Sequence, residues 1–120
     1  LGPEVTEYIV YHKGDTVTKV VLKTHRNFEK FGNAKDTLLK QEKLFTEENV
    51  KELKEKYSSV DGVSISYEVN GYTVTTIEEF DYTKIDFAKL KEIDPKSQLF
   101  TSFSEMKSDF ESQAIFEQVQ

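Results

Sequence analysis

Tyr11-His12-Lys13-Gly14-Asp15-Thr16-Val17-Thr18-Lys19-Val20 is echoed by Glu68-Val69-Asn70-Gly71-Tyr72-Thr73-Val74-Thr75-Thr76-Ile77. Gly14 aligns with Gly71, Thr16-Val17-Thr18 with Thr73-Val74-Thr75, and Val20 with Ile77. A glycine set between runs of β-branched and aromatic residues reads as a β-hairpin, because glycine takes positive φ without steric cost. Helix-like sequence follows each copy. The chain is therefore expected to use one ββα unit twice, over roughly residues 5–57 and 63–93. The fold class is α+β, a single domain spanning 1–120, with an antiparallel sheet built from two similar hairpins and helices packed on one face.

Val5 to Tyr11 and Thr16 to Thr24 have β-typical composition. A two-residue Lys13-Gly14 loop puts Val10 opposite Val17 and Ile9 opposite Thr18; a three-residue turn ending on Gly14 shifts this by one. In the second copy Val63, Ile65, Tyr67 and Val69 alternate with Ser64, Ser66 and Glu68, the pattern of a half-buried strand. Asn70-Gly71 predicts a type I′ turn that pairs Val69 with Tyr72, Tyr67 with Val74 and Ile65 with Thr76. Val20 and Ile77 then break parity at the same place in both copies, which calls for a bulge or for burial on both faces near the strand ends.

Between the hairpins, Gly32-Asn33 breaks the chain and Ala34 to Phe45 reads as a helix with Leu38, Gln41 and Phe45 on one side. Thr46 followed by Glu47-Glu48 reads as the start of a second helix, with negative charge at its positive end. Val50, Leu53 and Tyr57 form its apolar face, and Asp61-Gly62 ends it. Asp86 caps a short helix Phe87–Ile93, which stops before Asp94-Pro95. Lys96 to Thr101 reads as loop. Ser102 and Glu105 form a capping box, with Phe103, Met106 and Phe110 facing inward. Ala114 to Val119 fits either a helical turn or a short strand.

The 120 residues carry 37% hydrophobic and 32% charged residues, including nine Phe and six Tyr. This length buries roughly two-thirds of the unfolded surface in one core. The net charge of -6 and a single arginine, Arg26, argue against a nucleic-acid partner, which needs cationic surface against phosphate. Without cysteine the chain has no disulfide, thiolate nucleophile or cysteine metal site. No Gly-x-Ser-x-Gly elbow and no glycine-rich phosphate loop is present. No cofactor is expected.

His12 and His25 are the only histidines. One hairpin separates them by about 30 Å at ~3.3 Å per residue, so they read as two surface histidines and not as a shared metal or acid–base site. Glu78, Glu79 and Asp81 form an acidic cluster, but hard cations want six or more oxygens, and a solvated strand end is the simpler reading. Tyr8, Tyr11, Tyr67, Tyr72 and Tyr82 lie on or beside the hairpins. They are the candidate binding residues, for a glycan or protein partner, with cross-strand packing as the plainer alternative.

Val10-Tyr11-His12-Lys13-Gly14-Asp15-Thr16-Val17, Glu55-Lys56-Tyr57-Ser58-Ser59-Val60-Asp61-Gly62-Val63 and Tyr82-Thr83-Lys84-Ile85-Asp86-Phe87-Ala88-Lys89-Leu90 are informative together. In order and spacing they resemble the YehR-like family of small bacterial lipoproteins, over roughly Glu7 to Ile93. The family closes its C-terminal helix with a Gly-Phe pair; here Ala114-Ile115-Phe116 stands in that region. The resemblance implies export and an extracytoplasmic domain held on the membrane by a lipidated cysteine upstream of Leu1; the start at Leu1-Gly2-Pro3-Glu4 without Met separately reads as a cloning remnant over Leu1-Gly2-Pro3. It carries over no functional residues, because the family has no established activity.

These readings lead to an expectation of a non-enzymatic, surface-tethered binding domain whose partner is an unidentified protein or envelope component. One rival is a structural envelope-maintenance protein that pairs through a sheet edge. Another is a hydrolase using Glu78, Glu79 or Asp81, which requires two carboxylates in one concave site.

Overall fold

Gly14 and Gly71 both take positive φ, +59° and +60°, and around them the two echoed segments fold back as hairpins. The structure is a computed structural model that describes residues 4–95, 102–111 and 117–119. In chain order these form β1 (Glu4–Lys13), β2 (Thr16–Asn27), a 3-10 turn (Glu29–Ala34), α1 (Lys35–Lys56), β3 (Val63–Asn70), β4 (Thr73–Asp81), α2 (Phe87–Ile93), α3 (Phe103–Glu111) and β5 (Glu117–Val119). One five-stranded sheet runs β3-β4-β2-β1-β5. The two hairpins meet through an antiparallel β2–β4 ladder, and β5 lies parallel to β1. The α+β class and both hairpins are as the sequence predicts, and the C-terminal alternative resolves as a strand. Leu1-Gly2-Pro3, the expected loop Lys96–Thr101, the Phe110 side chain and Ala114–Phe116 lie outside the described residues.

Both registers differ from expectation. Lys13 pairs with Thr16 and Asn70 with Thr73, so the loops are Gly14-Asp15 and Gly71-Tyr72. No non-glycine residue among those described has positive φ, so each glycine fills the first central position, as a type II′ turn requires. In the second hairpin Val69 therefore meets Val74, Tyr67 meets Thr76 and Ile65 meets Glu78. The displacement from the expected pairing is two residues, which leaves every side chain on its expected face.

In the first hairpin Val10 meets Val20, and the register slips between Tyr11–Lys19 and His12–Val17, leaving Thr18 as the extra residue. This bulge is what lets Val17 and Val20, three apart, both reach the core. The Thr18 carbonyl turns to accept the Tyr82 amide at 2.9 Å. The second hairpin has no such slip. Ile77 instead points to the opposite face, half-buried, so the shared break in sequence parity has a different cause in each copy.

The helices occupy one face of the sheet. Val50 of α1, Tyr57 at its C-terminal end and Leu90 of α2 pack on Ile65, Val63 and Phe80, and Met106 and Phe103 of α3 pack on Val10, Val17 and Val20. α1 is one helix where two were expected, since neither glycine nor proline interrupts residues 35–56. Thr46 is not a cap; it lies buried in mid-helix. The stripe set by Tyr57, Leu53 and Val50 continues back through Thr46 and Glu42 at 3.6-residue spacing. Phe45 and Gln41 are exposed, and Leu38, on the same side, is half-buried. Asp86 caps α2 by accepting the Lys89 amide at 3.2 Å, as read from sequence.

Candidate binding surface

The inward stripe of α1 is unusually polar, and this opens space beneath the helix. A cavity of about 200 Å³ lies between α1 and the sheet, lined by Glu42, Thr46, Asn49 and Leu53 above and Thr24, Arg26, Thr76 and Glu78 below. Arg26 closes one end. Its guanidinium donates to Glu42 of α1 at 2.6 Å and, through Nε and Nη2, to Glu4 of β1 at 3.1 and 3.0 Å. The single arginine thus ties the first strand to the long helix through two carboxylates. At the other end burial pushes the Glu78 carboxyl above its ordinary range, with Lys56 pulling weakly the other way.

Beside this cavity the surface widens into an open groove of about 660 Å³ between α1 and β3. Val50 and Tyr67 line it with Leu44, while Glu47, Glu48, Lys51, Lys54 and Glu55 also border it. Leu44 is 61% exposed and Tyr67 38%, so the groove carries exposed apolar surface, as do Phe45 and Val5 elsewhere on the molecule. The groove can take apolar side chains while offering charges of both signs around them.

The fold has a known counterpart. A protein from Streptococcus pneumoniae TIGR4, solved by NMR, is similar at a TM-score of 0.52 with 16% identity, over 94% of this chain and 84% of that one. The E. coli YehR protein, also solved by NMR, aligns at a TM-score of 0.49 with 21% identity, over 81% of this chain and 69% of that one. No family model matches the chain, and no curated protein does. The pneumococcal likeness bears on the fold alone. Among the described residues no helix is long and apolar enough to cross a membrane.

The five candidate tyrosines do not converge. Tyr67 borders the groove. Tyr8 lies on the helix-covered face opposite Leu22, half-buried. Tyr11 is on the other face with the Lys19 ammonium 5.1 Å from its ring centroid. Tyr72 sits in the second turn, donating to Asp36 at 2.8 Å beneath Lys35. Tyr82 fills the junction between the two core clusters, edge-on to Phe87, and burial pushes its hydroxyl up to about 12. The acidic trio also separates. Glu78 enters the cavity, Glu79 pairs with Lys19 at 2.7 Å on the opposite face, and Asp81 bonds the Thr83 amide and hydroxyl in its own turn.

The histidines are far apart in role. His12 stacks on Phe103 at 3.8 Å and bonds the Gly14 carbonyl at the hairpin tip. His25 lies on the helix-free face in a row that sequence reasoning missed. Its Nε2 bonds the Glu7 carboxylate and its Nδ1 bonds the Thr75 hydroxyl at 2.8 Å. Thr75 is only 5% exposed, so this row acts as a polar cross-strand staple over β1, β2 and β4. No local signal announces it, because it depends on β2 pairing with β4. Among the described residues no group of three or more carboxylates or histidines is placed to hold a metal ion.

Proposed function

We propose that this chain is an extracytoplasmic binding domain of a bacterial envelope lipoprotein, held on the membrane through a lipidated cysteine upstream, and that it acts by binding and not by catalysis. The observation that carries the binding part is the groove between α1 and β3, where Leu44 and Tyr67 stay exposed beside charged residues of both signs. Soluble domains rarely leave apolar surface gathered in a concave site without a partner for it. The envelope part is supported by the sequence resemblance over Glu7 to Ile93. Of the candidate tyrosines, Tyr67 is the one that this reading places in contact with the partner, an envelope protein or other envelope component.

Two measurements test the reading. Envelope fractions titrated into isotope-labelled protein are expected to shift the amides of Leu44, Lys51 and Tyr67. Shifts confined to the helix-free face, or none with any fraction, would overturn the groove. The full gene product grown with an alkyne fatty acid is expected to carry the label on its N-terminal cysteine, and an unlabelled, cytosolic product would overturn the anchoring.

A further inference from the structure

We propose that the outer edge of β3 is a strand-addition site. An extended, cation-flanked peptide with apolar residues at alternate positions joins the sheet there as a further strand, and its alternate side chains enter the α1–β3 groove. This rests on the binding reading above and names the kind of partner it takes.

The backbone chemistry of the edge sets the requirement. β3 ends the strand order, so among the described residues only β4 pairs with it. A two-residue hairpin loop is closed by a hydrogen-bonded pair, here Asn70–Thr73, and such pairs then alternate along the ladder. The Asp81 amide donates to the Gly62 carbonyl at 2.7 Å, which fixes the same alternation at the far end. Val63, Ile65, Tyr67 and Val69 therefore turn their amides and carbonyls outward. Those groups match an extended chain, and no other backbone geometry satisfies them in series.

Edges of this kind are normally guarded by proline, lysine or a bulge. Val63–Asn70 has neither proline nor lysine, its register is unbroken, and Glu68 is its single charge. Residues 66–70 are all exposed. The first copy shows what the equivalent edge accepts. Ile9, Val10 and Tyr11 of β1 stand where Ser66, Tyr67 and Glu68 stand in β3, and β5 pairs with them in parallel. The chain thus already adds a strand to one of its two outer edges.

The groove supplies the side-chain part. It lies on the face of β3 that carries Tyr67, so every second residue of an added strand points into it. Glu47, Glu48, Glu55 and Glu68 outnumber Lys51 and Lys54 around this edge, which favours a peptide with cationic ends.

The test uses a fluorescent peptide of alternating valine and threonine with lysine at each end, titrated into the whole chain. Binding is expected. Val69→Pro removes an outward amide and leaves the pairs to β4 intact, so affinity is expected to fall at least about tenfold, the scale of losing main-chain hydrogen bonds. A peptide N-methylated at alternate amides along one edge is expected to lose binding, and one methylated along its other edge to keep it. This second comparison leaves the protein unaltered and does not depend on the variant folding. If the Val69→Pro protein and both methylated peptides bind as well as their parents while Leu44→Glu weakens binding, strand addition is overturned and the groove reading stands. If no peptide binds, strand addition is again overturned, and the envelope titration decides the groove separately. Self-association of the parent chain that Val69→Pro abolishes would make a second copy the occupant and overturn the peptide.

Discussion

The two hairpins share a turn and a face but end in different company. β1 and β2 are held on every side: β4 pairs with β2, β5 with β1, and α3 grips the tip through Asp15. The second hairpin is joined laterally through β4 alone, and β3 leaves its outer edge unpaired among the described residues. The helix over the second copy compensates from above, since the larger core cluster joins α1 and α2 to β3 and β4. Two similar hairpins are therefore stabilised differently: the first is paired laterally on both sides with α3 over it, and the second is paired on one side with α1 and α2 over it. Among the described residues, the hairpin under α1 and α2 is the one whose outer edge has no strand partner. A proline in each outer strand separates the two edges most strongly. Ile9→Pro sits where β1 is paired on both sides, and it is expected to cost about 3 kcal/mol or more in urea unfolding. Val69→Pro, whose amide faces outward, is expected to cost about 1 kcal/mol or less. Equal costs would mean that the two edges are not different.

The entries to the outer strands differ as well. Val5 in β1 is 60% exposed, whereas Gly62 holds the equivalent place before β3 at φ +84°. A Cβ there would lie 2.9 Å from the Asp81 carbonyl oxygen and 2.9 Å from Ile85 Cγ1. Gly62→Ala is therefore expected to cost about 3 kcal/mol, joining left-handed strain to overpacking. At the tips the copies agree. A Cβ on Gly14 or Gly71 meets nothing within 4 Å, so Gly14→Ala and Gly71→Ala carry only the conformational cost, about 1–2 kcal/mol each. Thermal unfolding that separates the two tips by more than that cost would show that the turns are not equivalent.

Local chemistry was legible in the sequence, and non-local pairing was not. The existence of both glycine hairpins, the Asp86 cap and the alternation of β3 are short-range signals and appear as read, whereas the turn registers shift and only the Ser102 hydroxyl half of the capping box forms, accepting the Glu105 amide at 3.5 Å. The continuity of α1 was missed because Thr46-Glu47-Glu48 is as good a cap as it is a helix interior, and only the packing of Val50, Leu53 and Tyr57 on the sheet decides between them. The Thr18 bulge could be inferred only as one of two options, since sequence parity does not say which face an apolar residue takes. The groove and the Glu7–His25–Thr75 row were invisible for a common reason. Each joins elements whose adjacency is fixed by the order β3-β4-β2-β1, which no residue announces. Tyr67 was picked from sequence with four other tyrosines; what singles it out is its place beside α1.

The finest distinction lies in the second residue of each turn. Asp15 anchors the first tip to α3, accepting from the Ser102 hydroxyl at 2.7 Å and the Ser104 amide at 2.8 Å. Tyr72 anchors the second, with its carbonyl taking the Phe28 amide at 3.0 Å and its hydroxyl donating to Asp36. The Ser102 hydroxyl, then the Ser104 amide, hold the Asp15 carboxyl below its ordinary value. A depressed carboxyl contributes stability fully above its unfolded pKa and loses it as pH falls through the folded one. The hydrogen bond to Asp36 raises Tyr72, whose neutral form the fold favours. Its contribution is therefore full below the ordinary tyrosine value and is lost as pH rises through the raised one. The first tip should loosen in acid and the second in alkali. Amide exchange is expected to show α3 losing protection at low pH in the parent chain, with that pH dependence gone in Asp15→Asn. The start of α1 should lose protection at high pH, and Tyr72→Phe should remove that response. If both ends loosened together at one pH, the tips would be coupled through the sheet, and the two copies would have to be treated as one elastic unit.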